Sequence, residues 1–366
     1  MTTADRTYNF SAGPATIPLK VLQQIQQELL NFKGCGASIM EISHRSATFI
    51  EVLDSARAGI KQLLEIDDSH EVLFLQGGSR LQFSMIPMNL LRSAEDRAAY
   101  IVSGTWSQKA YDEASGAGNI DLAWSGKMSN FNTLPASSDL SLSDDPAFLY
   151  YASNETIHGV QFKEPPEANN TALVCDASSD FLSRPIDMQR HGIVYACAQK
   201  NAGPAGVTIV VIRKDLLDRS KANLPGYLNF KTHVEQNSMF NTPPTFGIYV
   251  IDLICQWLIN DMGGLKQVAE YNLTKANLIY EIIDQCSDMY RGHAEHEHRS
   301  KMNISFNLTS DELTAKFIRE AGQQGLNSLK GHRSVGGIRA SIYNAMSQEG
   351  VLALRDFMKS FYTQNS

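Results

Sequence analysis

Short runs of almost uninterrupted apolar residues, separated by helix-period segments, constrain the fold of this 366-residue chain more than any other feature. They fall at 71–75, 98–103, 148–152, 171–175, 192–198 and 206–212. Runs of this length without polar alternation suit strands covered on both faces. Between them, 18–30 places Leu22, Ile25, Leu29 and Leu30 at helical spacing behind Pro18, a residue suited to a first helical turn. A second stripe of Phe49, Leu53, Ile60, Leu63 and Leu64 runs through 48–65. Alternating strand and helix signals predict an α/β domain with a mainly parallel sheet, which binds ligands at the carboxyl ends of its strands.

The pattern changes after Pro244. Two long helices are expected over 245–260 and 265–286, broken at Asp261-Met262-Gly263-Gly264. A polar loop (292–300), a strand (302–308), a helix (311–322), a strand (339–343) and a last helix follow. This division predicts an N-terminal segment 1–15 near the small domain, a large domain over 16–262 and a smaller α+β domain over 263–366.

Composition narrows the partners. A formal net charge of −7 argues against nucleic acid and anionic membranes, which favour a broad basic surface. Residues 1–10 lack the apolar centre of a signal peptide, and the apolar stretch 248–258 is too short to span a bilayer. Cys35, Cys175, Cys197, Cys255 and Cys286 are odd in number and show no CxxC spacing. Reduced thiols in a cytoplasmic protein are expected, with no disulfide framework and no metal site.

Lys200 follows the run 192–198 and precedes Asn201-Ala202-Gly203-Pro204-Ala205-Gly206. A lysine delivered to a strand end beside glycines suits Schiff-base chemistry, which needs a neutral amine. Taken alone it also reads as a solvated lysine. Asp176 closes the run 171–175, so both polar tips emerge at one edge if the strands are parallel neighbours. A carboxylate there can keep a pyridinium nitrogen protonated; singly, it reads as a turn cap through Ser178 and Ser179. Gly77-Gly78-Ser79-Arg80 follows another run, and its backbone N–H groups, helix start and guanidinium suit a phosphate. Trp106 stands just past 98–103, where a flat ring can stack on a cofactor. Thr156 lies soon after 148–152. The repeated pairs His44-Arg45 and His332-Arg333, with Arg339 beyond the second, suggest anion recognition in an acidic chain.

These residues resemble the phosphoserine aminotransferase family, pyridoxal-phosphate transaminases of fold type I within the class-V aminotransferases. The resemblance covers nearly the whole chain. It is most specific in Asn9-Phe10-Ser11-Ala12-Gly13-Pro14-Ala15, 40–45, 198–206, Ser238-Met239-Phe240-Asn241-Thr242-Pro243-Pro244 and 330–345. It implies a mainly parallel mixed sheet flanked by helices, plus the smaller C-terminal α+β domain. It also implies that Lys200 bonds the pyridoxal 5'-phosphate covalently and shuttles the substrate's α-proton. Asp176 would pair with the ring nitrogen, Trp106 stack on the ring and Thr156 bond its hydroxyl. Ser79, Arg80 and Gln199 would hold the phosphate, with Asn241 and Thr242 from the other subunit of a homodimer. Arg339 would grip the α-carboxylate, while His44, Arg45, His332 and Arg333 hold the substrate's phosphate or side-chain carboxylate, some across the interface. Members of the family often carry a third glycine where this chain has Ser79.

The implied reaction moves the amino group of L-glutamate to 3-phosphohydroxypyruvate, giving O-phospho-L-serine and 2-oxoglutarate. Similar proteins also act on 3-hydroxy-2-oxo-4-phosphooxybutanoate of pyridoxine biosynthesis, which presents the same phosphate. A cysteine desulfurase on this fold would need an exposed nucleophilic cysteine, for which Cys35 is the candidate. A non-catalytic cofactor carrier would have no use for the arginine clamp.

Overall fold

The computed structural model describes residues 6–221 and 223–366; residues 1–5 of the expected N-terminal segment lie outside them. Its centre is a seven-stranded sheet. In chain order the strands are β1 (His70–Gln76), β2 (Arg97–Val102), β3 (Asn119–Ser125), β4 (Leu149–Ala152), β5 (Leu173–Asp176), β6 (His191–Cys197) and β7 (Val207–Arg213). In space they run β1-β7-β6-β5-β4-β2-β3. The pairs β3–β2, β2–β4, β4–β5 and β5–β6 are parallel, whereas β7 is antiparallel to both β6 and β1. The apolar runs therefore become strands buried on both faces. The exception is β3, an edge strand whose polar alternation hid it and whose Leu122 is exposed.

Helices cover both faces. α1 (Leu19–Glu28) and α2 (Ala47–Leu63) come before β1, and Ser46 caps α2 by accepting from the Phe49 N–H. α3 (Ser79–Leu90) and α4 (Thr105–Ser115) follow β1 and β2 directly. Phe49, Leu53 and Ile60 of α2 pack with Phe74, Ala99 and Val194 on one side of the sheet; Phe83, Ile86 and Ala110 of α3 and α4 pack with Leu73, Tyr100 and Ile193 on the other. Each apolar side chain removed from water in these layers contributes about 1.5–3 kcal/mol.

α5 (Thr245–Asn260) and α6 (Leu265–Gln285) are separated at Gly263 and Gly264, both at positive φ. Leu265 and Val268, at the start of α6, join the first core, whereas Ala276, Ile279 and Ile283 join a second. That second core gathers β8 (Asn303–Asn307), α7 (Asp311–Gln323), β9 (Ile338–Ser341) and α8 (Gln348–Asn365). β8 and β9 pair antiparallel, with Ser305 opposite Arg339. Tyr8 and Asn9 pair with Leu326 and Asn327, and Phe10 is buried in the second core.

Candidate active site

Five connections leave the carboxyl edge of the sheet and meet around a cavity of about 340 Å³. Lys200 follows β6, Asp176 ends β5, Thr156 follows β4, Trp106 lies in the first turn of α4 after β2, and Ser79 opens α3 after β1. All five line the cavity, together with Arg80, Gln199, His332 and Arg339. Lys200 Nζ donates to Thr156 Oγ1 at 2.8 Å and stands 5.3 Å from the centroid of the Trp106 ring.

Asp176 is buried and accepts from the Ser178 N–H at 2.9 Å and the Tyr195 hydroxyl at 3.1 Å. Burial pushes its carboxyl pKa up, and nearby Lys200 pulls the other way. Behind Tyr195 the hydroxyl of Tyr150 lies 3.0 Å away, so the carboxylate is backed by a tyrosine pair within the sheet.

At the start of α3, Gly78 occupies the capping position with no side chain, which leaves the first N–H groups of the helix open to the cavity. Ser79 Oγ and Ser178 Oγ are 2.7 Å apart beside them. Arg80 turns partly outward and lies 3.7 Å from Glu113. Gln199 Oε1 and Trp106 Nε1 are buried without a hydrogen-bond partner.

The opposite wall comes from the second core. Arg339 of β9 has no acidic partner among the described residues, and burial presses its pKa down. Its strand is tied to the cofactor side of the cavity by buried polar groups. Asn154 Nδ2 donates to Asn303 Oδ1 at 2.8 Å, and Asn303 Nδ2 donates to the hydroxyls of Ser341 at 2.9 Å and Tyr343 at 3.1 Å. The Tyr343 hydroxyl in turn donates to the Ala12 carbonyl at 2.8 Å. The loop carrying His332 and Arg333 closes on itself, with Gly331 N–H donating to Gly337 O at 2.9 Å. A Cβ on Gly331 would lie 1.8 Å from Gly336 O, so only glycine allows that turn. Burial lowers the His332 pKa, and the charges of Arg339, Lys109 and Arg333 lower it further.

Five expected site residues lie elsewhere in the single chain. Arg333 is exposed on its loop. His44 and Arg45 sit in the turn before α2, outside the cavity lining. Asn241 and Thr242 are exposed beside Gln76, which accepts from Asn241 Nδ2 at 3.2 Å and donates to Thr242 O at 2.8 Å. Cys35 is exposed and away from the cavity, whereas buried Cys197 lines its floor. Tyr195, Asn303 and Tyr343 were missed by sequence reading, because nothing local marks a buried tyrosine or asparagine as bonded to a distant site.

The features fit pyridoxal phosphate. A buried carboxylate with a raised pKa calls for a cationic ring nitrogen, and uncapped N–H groups with two hydroxyls suit a phosphate. The flat wall of Trp106 and an amine 2.8 Å from Thr156 complete the complement.

Residues 7–354 match the sequence profile of the family described as Aminotransferase class-V, and the chain belongs to that family. The fold is type I of the pyridoxal-phosphate-dependent enzymes. Its similarity extends to the phosphoserine aminotransferase of Rhodopirellula baltica, 54% identical over 99% of this chain and 96% of the relative. The solved phosphoserine aminotransferase of Bacillus circulans subsp. alkalophilus superposes with a TM-score of 0.96 at 46% identity, covering 99% of this chain and 100% of that one. A pyridoxal-phosphate-bound phosphoserine aminotransferase from Trichomonas vaginalis gives a TM-score of 0.92 at 39% identity, with 97% and 100% covered.

Proposed function

We propose that the cavity transfers the amino group of L-glutamate to 3-phosphohydroxypyruvate, yielding 2-oxoglutarate and O-phospho-L-serine. The observation that carries this reading is the convergence of Lys200, buried Asp176 and unpaired Arg339 on one cavity. Lys200 would bond the cofactor, Asp176 would pair with its ring nitrogen, Trp106 would stack on the ring, and Thr156 would bind the ring hydroxyl. The start of α3, with Ser79, Arg80 and Gln199, holds the phosphate. When bound, pyridoxal phosphate supplies an electron sink for the pair left behind when the substrate's α-proton departs.

The chain's own groups do the rest. Arg339 grips the α-carboxylate bidentately, which turns the α-hydrogen toward Lys200. The amine of Lys200, released from the cofactor by substrate, would take that proton and return it on the far side of the transferred nitrogen, two atoms away. The second half-reaction runs the same transfers in reverse on the phosphorylated oxo acid. His332, which lines the cavity, binds the distal anion, a γ-carboxylate in one substrate and a phosphate in the other, and Arg333 adds positive charge from its exposed place on the same loop.

His44, Arg45, Asn241 and Thr242 act from the partner subunit of a homodimer in this reading. The exposure of Arg45, Asn241 and Thr242, and that of Met40 and Phe240 nearby, supports an interface there. We further place the domain division at 262/263, with 1–15 serving the small domain; the paired glycines and the separate second core support it. A cytoplasmic location accords with the free cysteines, and among the described residues no helix is long and apolar enough to cross a membrane.

The test is direct. Purified protein should be yellow, glutamate should discharge that colour, and phosphohydroxypyruvate should restore it with phosphoserine appearing by phosphorus NMR. No phosphoserine from colour-responsive protein would sink the substrate assignment. Supplying the four-carbon phosphorylated oxo acid in the same assay measures breadth.

A further inference from the structure

Helix α4, which carries Trp106, begins without a capping side chain of its own. Its capping position is Gly104. The cap arrives instead from Glu155, beyond β4. One carboxylate oxygen accepts from the Trp106 N–H at 3.1 Å. The other accepts from the Ser107 N–H and the Ser107 hydroxyl, each at 2.7 Å. Ser107 Oγ in turn accepts from the N–H groups of Ser103 at 2.9 Å and Gly104 at 3.0 Å. A Cβ on Gly104 would lie 2.4 Å from Glu155 Cδ, so the glycine is what lets the carboxylate approach.

We propose that Glu155 is a positioning residue for the cofactor, fixing Trp106 relative to Thr156 and Lys200. Glu155 is fully buried and directly precedes Thr156, whose hydroxyl receives the Lys200 amine. The carboxylate therefore joins the aromatic wall of the cavity to the group that holds the lysine. A plain helix cap does not need this arrangement. Serine or aspartate at position 104 would cap α4 locally, without desolvating a charge. The burial pushes the Glu155 pKa up, which the three hydrogen bonds only partly offset. A costly group is thus used where a cheap one serves for helix stability, and what it adds is the link between two cavity walls. Neither oxygen is free to touch substrate, so the role is indirect.

The inference rests on the cavity holding pyridoxal phosphate, and the parent protein reports on that separately by binding the cofactor or failing to. Glu155→Gln keeps the size but sets an amide NH2 against one of the N–H donors. Relative to the parent, its cofactor dissociation constant should rise about tenfold, the cost of a lost hydrogen bond to a charged group. The visible circular dichroism per bound cofactor should also fall, because ring and Trp106 lose their fixed angle. The KM for glutamate should stay within about twofold, since Arg339 is carried by another core. Ser107→Ala removes one donor without stranding a charge and should give a smaller loss of the same kind; it serves if Glu155→Gln does not fold. A lowered melting temperature with parental affinity and dichroism in either folded variant would reduce Glu155 to a helix cap and overturn the proposal.

Discussion

Lys200 and Thr156, from the ends of two different strands, are joined by a 2.8 Å hydrogen bond from Nζ to Oγ1. The amine is therefore aimed into the cavity before it bonds the cofactor. Thr156→Val is isosteric and removes the hydroxyl that accepts from Lys200 and that is proposed to bind the ring hydroxyl. It should lower kcat about tenfold with little change in melting temperature, whereas Lys200→Ala should abolish turnover. Steady-state kinetics beside thermal unfolding measures both. An unchanged kcat in Thr156→Val would mean that the bond plays no part in aiming the amine.

Arg339 is half-buried with no acidic partner among the described residues, which costs stability until a carboxylate arrives. Arg339→Lys should raise KM for both amino donor and oxo acid about a hundredfold, since an ammonium cannot reproduce the bidentate fork. The cofactor should still bind with parental affinity. An unchanged KM for both substrates would remove Arg339 from the carboxylate clamp.

The proposed sharing of sites across a homodimer predicts complementation. A dimer pairing a Lys200→Ala chain with an Arg45→Ala chain keeps one complete site. Such a mixed dimer should recover about half of parental turnover, well above either homodimer. Affinity-tagged co-expression followed by activity assay tests this; activity no greater than the sum of the two would assign Arg45 to its own chain.

The base of β6 supplies a pH dependence. His191 is buried, its Nδ1 faces Asp187 O at 2.7 Å, and its Nε2 faces the Tyr151 hydroxyl at 2.7 Å. Burial lowers its pKa from 6.5 to about 4, partly opposed by the Asp187 carbonyl. Between those values the unfolded chain binds a proton that the fold refuses, so stability falls as pH drops from 6.5 toward 4. Each such site sets a slope of at most about 1.4 kcal/mol per pH unit. His158, lowered by burial to about 4 as well, adds its own share. Denaturant titrations of His191→Gln across this range should show a slope smaller by up to about 1.4 kcal/mol per pH unit; an unreduced slope would exclude His191 as a source.

Much of the cavity was legible because its strands are buried on both faces and its lysine, aspartate and Gly-Gly turn sit at their ends. Strand β3 was not, since an edge strand with one wet face lacks the continuous apolar signature. Glu155 was invisible for another reason. A glutamate beside a threonine looks solvated, and the N–H groups it caps lie far away in sequence with no local spacing to announce them. The turn carrying His44 and Arg45 is legible in composition, yet the role proposed for it requires a second chain.

The antiparallel β7 sets a limit on how this site can diverge. Because β6 and β7 are neighbours joined through 198–206, Lys200 stands in a hairpin whose two arms are both locked in register within the sheet. An insertion there would shift β7 against two partners at once and turn its buried faces over. The loop between Lys330 and Ile338 is fixed at its glycine ends by the tight turn and by Phe306 and Asn307, but its tip, 332–335, pairs with no strand. New substrates can thus be acquired by rewriting that tip, while the lysine's address stays fixed across any descendant that keeps the sheet.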